Sequence, residues 1–420
     1  MLCRGWTTQS ARLGKYHMKQ LSPQETALLA AVDPAPMLAQ VQTWSSVNTG
    51  TGNLAGLKVQ AGMLAEAFSG LPGGVALTDA APITAVDASG QEREQGNGQH
   101  LVVRVRPNAE RRFLLTGHMD TVFPAGHAFQ AQQWLDAETL NGPGVADMKG
   151  GIAVIIAALT AFETSAASAS IGYDVLINSD EETGSLSSAA LIAELARGKA
   201  AALTYEPSAL PDGTLAGARA GSGNWSLTVT GKSAHAGRNP QDGRNAIVAA
   251  AALTLGLKAL EREGLSVNPA KIDGGGATNV VPDLAVLRFN IRPRELALAE
   301  AFAAGLAELI AKVEAEHGVS IHRHGGISRP PKAVDARAEK LFGIVEECSA
   351  LLGSPISRIA SGGVCDGNNI AACGVPVVDT MGVRGGAIHS SDEFLIVPSL
   401  ASRAQLSALV LHRLATGAPL

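Results

Sequence analysis

A series of residues able to ligate metal or move protons lies just past short apolar runs. His118 follows Phe113–Thr116, and Asp147 follows Leu140–Gly144 and precedes an apolar helix. Glu181 and Glu182 follow Tyr173–Asn178, Glu206 follows Ala201–Tyr205, and His389 lies in a loop beyond Val375–Asp379. In an open α/β sheet, ligands bind in the crevice outside the carboxyl ends of the strands. If these runs are neighbouring strands, the scattered side chains converge. His118, His389, Asp147, Glu182 and Glu206 then suit a pair of divalent ions that share one carboxylate, leaving Glu181 as a base. The chemistry this predicts is metal-assisted hydrolysis.

Each residue taken singly has a plainer reading. His118 and Asp120 are two apart, so they share a side if strand geometry persists; alone, such a pair also suits a surface turn. A ligating His usually donates its other ring N–H to a carboxylate, and Asp120 is the candidate partner. Asp147 sits in Gly142-Pro143-Gly144-Val145-Ala146-Asp147-Met148-Lys149-Gly150-Gly151, where it could also be a helix N-cap. The glycines match neither G-x-x-x-x-G-K-[ST] nor G-x-G-x-x-G, which argues against a nucleotide cradle. Glu181 and Glu182 are consecutive, so one can ligate while the other faces water. Together these residues fill two coordination spheres without surplus.

The elements that must position them follow from patterning. The chain has 420 residues, 46% hydrophobic, which predicts two domains with cores rich in Ala, Val, Leu and Ile. From about residue 22 to 213 short strands alternate with helices, predicting a doubly wound, mostly parallel α/β sheet. Strands at Trp225–Thr230, Ala277–Val281, Ala285–Ile291 and Val319–Arg323, with helices at Asn245–Glu261 and Glu295–Glu316, read as an inserted ferredoxin-like β-α-β-β-α-β unit. The first pattern resumes with a helix at Asp335–Leu352. The expected boundaries are therefore 18–213 with 332–420 for the catalytic domain and 214–331 for the insertion. Residues 1–17 read as a disordered extension, with Met18 an alternative start.

A net charge of -5 and no basic run exclude nucleic acid as the main partner. Cys3, Cys348, Cys365 and Cys373 form no C-x-x-C pair, so a reducing, cytoplasmic location is expected. No continuous apolar run reaches about 18 residues, so no membrane span is expected and Ile152–Phe162 reads as a buried helix.

Four ordered segments carry a resemblance. Gly117-His118-Met119-Asp120-Thr121-Val122, the Gly142–Gly151 segment, Asp180-Glu181-Glu182-Thr183-Gly184-Ser185 and Ser233-Ala234-His235-Ala236-Gly237 are similar to the successive motifs of the zinc aminoacylase/carboxypeptidase family. That family includes glutamate carboxypeptidase, acetylornithine deacetylase and succinyl-diaminopimelate desuccinylase. Tyr205-Glu206-Pro207 and Ala216–Gly223 most resemble the bacterial glutamate carboxypeptidase branch.

The resemblance implies that Asp147 bridges two Zn2+ ions, with Co2+ or Mn2+ as substitutes. His118 and Glu206 complete one site, Glu182 and His389 the other. It further implies Glu181 as general base, Asp120 as the partner of His118, and a cis peptide at Asp147–Met148. The inserted domain would be a lid and homodimerisation domain, with His235 donated across the interface to the scissile carbonyl. Asn279, Arg292 and Arg329 match substrate-binding positions, and Gly363 lies in the matching Gly-rich substrate loop. That loop departs from the family in Val364-Cys365, where Gly-Thr is often found. The substrate implied is an N-acyl amino acid or short peptide with a free carboxylate.

Overall fold

The computed structural model describes residues 20–420; the expected extension at 1–17 and the alternative start at Met18 lie outside the described residues. A six-stranded sheet runs in the order Gly74–Thr78, His100–Val105, Gly172–Asn178, Arg112–His118, Ala201–Thr204, Val377–Val378. The pairings from Gly172–Asn178 to Val377–Val378 are parallel, and only His100–Val105 runs against the rest. Every residue of Gly172–Asn178 and Ala201–Thr204 is buried. Covering both faces of a parallel sheet explains why these strands read as continuous apolar runs rather than alternating ones.

Behind the sheet lie the helices Gly151–Glu163 and Ser399–Ala415, both packed into the larger apolar cluster. With the turn before it, Val145–Glu163 is 19 residues of mean hydropathy 1.7, long and apolar enough to cross a membrane. Of that window, 89% is buried within the protein, so the segment is accounted for as a core helix.

A second sheet comes from Ser222–Thr230, Leu265–Gly274, Leu284–Pro293 and Ser320–Arg329. All three of its ladders are antiparallel, with Leu284–Pro293 and Ser222–Thr230 in the middle. Helices Ala246–Ala259 and Leu296–His317 pack on one face through their own apolar cluster, centred on Trp225, Phe289 and Phe302. The β-α-β-β-α-β order is as expected, but its second strand is not. Leu265–Gly274 is the ladder strand, whereas Val280–Val281 pairs with Ala234–His235 outside the sheet. Leu265–Gly274 carries Pro269 and a register shift and is mostly exposed beyond Val267. An edge strand of that kind gives little apolar alternation to read.

The other face of this sheet meets a hairpin, Ile83–Val86 with Glu92–Gln95, which projects from between the first two strands of the main sheet. Arg288 Nη2 donates to the carbonyls of Val86 and Asp87 at 2.9 Å each. His322 Nε2 lies 2.8 Å from Glu92 Oε1, and His324 Nε2 lies 3.1 Å from Thr84 Oγ1.

Candidate metal centre

The parallel strands end on one edge, and each delivers a polar side chain there. His118 closes its strand, Glu181 and Glu182 form a short turn after Asn178, and Glu206 follows Thr204 by two residues. Asp147 lies in the turn Val145–Gly150 with non-helical φ/ψ of -114° and 90°, and its peptide bond to Met148 is cis, as the resemblance implied. Gly144 enters that turn at φ 72°, where a Cβ would meet Thr121 Cγ2 at 2.8 Å.

Two carboxylates hold the backbone of these turns. Buried Glu393 accepts from the N–H groups of Gly144, Ala146 and Asp147 at 3.0–3.1 Å. Asp120 accepts from the N–H of Glu181 through Oδ1 and of Glu182 through Oδ2, both at 3.1 Å, and from Thr51 Oγ1 at 2.8 Å. Asp120 was expected as the partner of His118 Nδ1. That nitrogen lies 3.0 Å from the backbone oxygen of Asp120 and 3.4 Å from its Oδ1. The residue thus orients the imidazole mainly through its main chain, while its carboxylate aligns the two glutamates.

Asp147 divides its two oxygens. His118 Nε2 is 3.2 Å from Oδ1 and 3.7 Å from Glu206 Oε2. His389 Nε2 is 3.3 Å from Oδ2 and 3.2 Å from Glu182 Oε2. Donor atoms of His118, Glu181 and Glu206, and those of His118, Asp147 and Glu182, lie within 4.8 Å of one another. All five expected ligands therefore meet, with Asp147 in the middle and Glu181 beside it.

The electrostatics fit a cationic occupant. Burial pushes up the carboxyls of Glu181 and Glu206. Glu182 rises to about 7, by burial first and then by the Asp147 charge. Burial opposes a charged His118, yet Glu206, Asp120 and Asp147 outweigh it and raise the imidazole well above its ordinary value. His389 is raised to about 11 by its bonds to Asp147 and Glu182. Glu206 Oε1 is buried with no hydrogen-bond partner. Four crowded carboxylates, one with an orphan oxygen, outnumber the two imidazoles and the Arg329 guanidinium that face them. Two imidazoles and three carboxylates are a donor set that divalent metals accept.

A cavity of about 780 Å³ opens over this cluster. Arg292, Arg329 and Gly363, which the resemblance matched to substrate-binding positions, are among its lining residues. Arg292 is half-buried and donates Nε to Asn290 Oδ1 at 3.0 Å; no carboxylate among the described residues pairs with it. Arg329 is already engaged, with Nη2 2.7 Å from Glu181 Oε1 and 3.5 Å from Asp366 Oδ1. His235 and Asn279 are not among the lining residues. His235 is exposed on the short strand Ala234–His235, and Asn279 lies in the turn just before its partner Val280–Val281, where Ala236 N donates to Asn279 O at 3.0 Å. His235 Nδ1 accepts from the N–H groups of Gly237 and Arg238 at 3.1 and 3.2 Å. An accepting Nδ1 puts the proton of the neutral ring on Nε2.

The sequence reading missed Glu393 and Asp366. Glu393 stood four residues past His389, but nothing in its spacing tells that it reaches back to the Asp147 turn. Asp366 accepts from Asn178 Nδ2 at 2.7 Å and from Ser185 Oγ, and it backs Arg329. Its place in Ser361–Gly367, the Gly-rich segment that resembles the family's substrate loop, was the available signal.

Comparison with known proteins bears on this geometry. The family model described as Peptidase family M20/M25/M40 matches residues 114–413. Carboxypeptidase G2 of Pseudomonas sp. (strain RS-16) is 27% identical over 398 residues, covering 92% of each chain. A succinyl-diaminopimelate desuccinylase of Halorhodospira halophila is 32% identical over 309 residues, 69% of this chain and 79% of the relative. Among solved structures, an M20 family metallo-carboxypeptidase from Sulfolobus solfataricus aligns with a TM-score of 0.68 at 15% identity, covering 91% of this chain and 99% of that one. The chain belongs to peptidase family M20/M25/M40 and is a metallohydrolase of its carboxypeptidase/aminoacylase type.

Proposed function

We propose that the chain hydrolyses the amide bond of an N-acyl amino acid or short peptide carrying a free carboxylate, as a glutamate carboxypeptidase-like enzyme. The observation that carries this reading is the division of Asp147 between the His118/Glu206 and His389/Glu182 pairs, with Glu181 alongside. His118, Asp147 and Glu206 would hold one ion; His389, Glu182 and the other oxygen of Asp147 would hold the second. Zn2+ is the assignment, with Co2+ or Mn2+ as substitutes. When bound, such a pair supplies Lewis acidity toward a carbonyl and lowers the pKa of water toward neutrality.

The residues of the chain do the rest. Glu181 takes a proton from the attacking water and passes it to the leaving amine. Burial favours its neutral form, and the Arg329 guanidinium opposes that. Arg292 offers a planar fork to the substrate carboxylate. His235, with its proton on Nε2, is the right tautomer to donate to the developing oxyanion. Since it does not line its own cavity, a partner subunit supplies it in a homodimer. Exposed apolar residues on the smaller unit, Val248, Leu255, Ile272 and Leu296, support such an interface. Free Cys348, Cys365 and Cys373 suit a cytoplasmic location.

The desuccinylase relative favours a second reading, an N-deacylase acting on acetylornithine or succinyl-diaminopimelate. Metal analysis paired with a hydrolysis panel separates the readings. About two zinc per chain and chelator-sensitive turnover of acyl-glutamates are expected. Preference for an acylated diamino acid selects the second reading, and no metal with no turnover after zinc addition sinks both. Glu181→Ala is expected to abolish turnover at unchanged metal content; retained activity removes it as the base.

A further inference from the structure

We propose that a second cavity, of about 290 Å³, binds a small oxyanion on Arg403 and Arg384. It lies between the Asp212–Gly213 turn, the Leu352–Ile356 segment and the helix Ser399–Ala415, and none of its lining residues lines the larger cavity.

Arg219, Arg329 and Arg403 are the three buried arginines among the described residues. Arg219 sits on Asp379 at 2.8 Å and Arg329 on Glu181 at 2.7 Å. Arg403, only 3% exposed, has no carboxylate within ion-pair distance among the described residues. Its Nη2 donates to the Gly213 carbonyl at 2.7 Å, and its Nη1 is buried without a partner. Buried charges are normally paired, because an uncompensated one carries a heavy desolvation cost.

A second guanidinium lines the same cavity. Arg384 is half-buried, donates Nε to the Pro211 carbonyl at 2.7 Å, and also lacks a carboxylate partner among the described residues. Asp212 is the one carboxylate among the lining residues, and its Oδ1 accepts from the Thr214 N–H at 2.9 Å. Two guanidinium charges thus face one carboxylate. Burial and the like charge of Arg384 lower Arg403 to about 10, the direction expected of a cation without its counter-ion. Planar guanidinium groups match the oxygens of carboxylate and phosphate, which makes a small oxyanion the fitting occupant.

The position links this cavity to the larger one. Both arginines grip the Pro211–Gly213 turn, whose near neighbours Ser208 and Ala209, with Pro211 itself, line the cavity over the metal cluster. The anion site therefore lies across that turn from the metal cluster and is separate from the cavity over it.

The test is calorimetric titration of the metal-loaded enzyme with inorganic phosphate and, separately, acetate, repeated on Arg403→Met and Arg384→Met. The expected result is a binding component in the wild type that each variant weakens by at least about tenfold. The stronger of the two anions tells whether phosphate or a carboxylate is the natural class. Equal binding in the wild type and both variants, or no binding in the wild type, overturns the proposal and leaves Arg403 as a structural tie to the turn. Should Arg403→Met fail to fold, half-buried Arg384 decides the matter.

Discussion

Arg329 grips Glu181 at both ends of the residue, with Nη2 2.7 Å from the carboxylate Oε1 and 2.8 Å from the backbone oxygen. Ser185 Oγ accepts from the same nitrogen at 2.8 Å, and Asp366 stands behind it. A guanidinium so placed fixes where the carboxylate points and favours its charged form. Removing it takes away the largest opposition to burial, leaving only the weaker pull of His118, and drives the Glu181 pKa further up. In Arg329→Gln the acid limb of the kcat/KM profile should therefore move to higher pH, with kcat falling on the order of tenfold to a hundredfold. An acid limb that stays in place would show that Arg329 does not tune the base.

The trans assignment of His235 makes a sharper demand. Glu181→Ala and His235→Ala are each expected to be inactive as homodimers. Mixed at equal amounts and allowed to exchange, they form hybrids in which one site holds both intact residues. Activity should then recover to about a quarter of wild type, as random pairing of a twofold dimer requires. No recovery in a mixture shown to contain hybrids refutes donation across the interface.

The smaller unit carries a concentrated aromatic core. Trp225 stacks on Phe289 with ring centroids 5.3 Å apart, and fully buried Phe302 packs at 5.6 and 6.0 Å from the two. Phe302→Ala removes the ring that closes this cluster and should cost about 3–5 kcal/mol. Urea unfolding followed by tryptophan emission reads the loss, since Trp225 sits in the affected core. A midpoint unchanged from wild type would mean that the cluster contributes little.

Glu25 ties the first described helix to the last. It completes a capping box with Ser22 and accepts from Arg413 Nε at 2.9 Å. Burial opposes its charge, but the Ser22 amide and Arg413 prevail, so the carboxyl lies below its ordinary 4.5. The sign follows: a depressed folded pKa gives stability that is present above 4.5 and is lost as pH falls through the lower folded value. Glu25→Gln should cost roughly 1 kcal/mol near neutrality, and the gap to wild type should close in acid. A gap that persists at low pH would assign the effect to packing instead.

How much of this could be read in the chain depends on what each residue answers to. His118, Glu181, Glu182 and Glu206 were legible because strand ends are set by local apolar runs, and a parallel sheet gathers those ends on one edge. His389 was legible by type and by the motif around it. The interior strands also stood out, since burial on both faces leaves no polar interruption. Leu265–Gly274 was not legible, because an exposed edge strand interrupted by Pro269 lacks the alternation that marks its neighbours. Glu393 and Asp366 act over separations of about 180 to 250 residues, and no local spacing encodes such partners. His235 shows the same limit from the other side: its motif was plain, while its distance from the cavity belongs to tertiary arrangement.

The hairpin Ile83–Gln95 sets a mechanical condition on the whole molecule. The chain passes from the main sheet to the smaller one and back at Arg219–Gly221 and Arg329–Lys332, where the two strands of the crossing bond to each other. The two adjoining crossings join the units at one place, where Arg329 also ties the smaller sheet to Glu181 and Asn369 Nδ2 donates to the Ser328 carbonyl. The hairpin adds a separate anchor through Arg288, His322 and His324. Any swing of the smaller unit must carry this strap along or break its bonds. Substitutions in this strap would therefore loosen the smaller unit against the main one while touching no residue that lines the cavity.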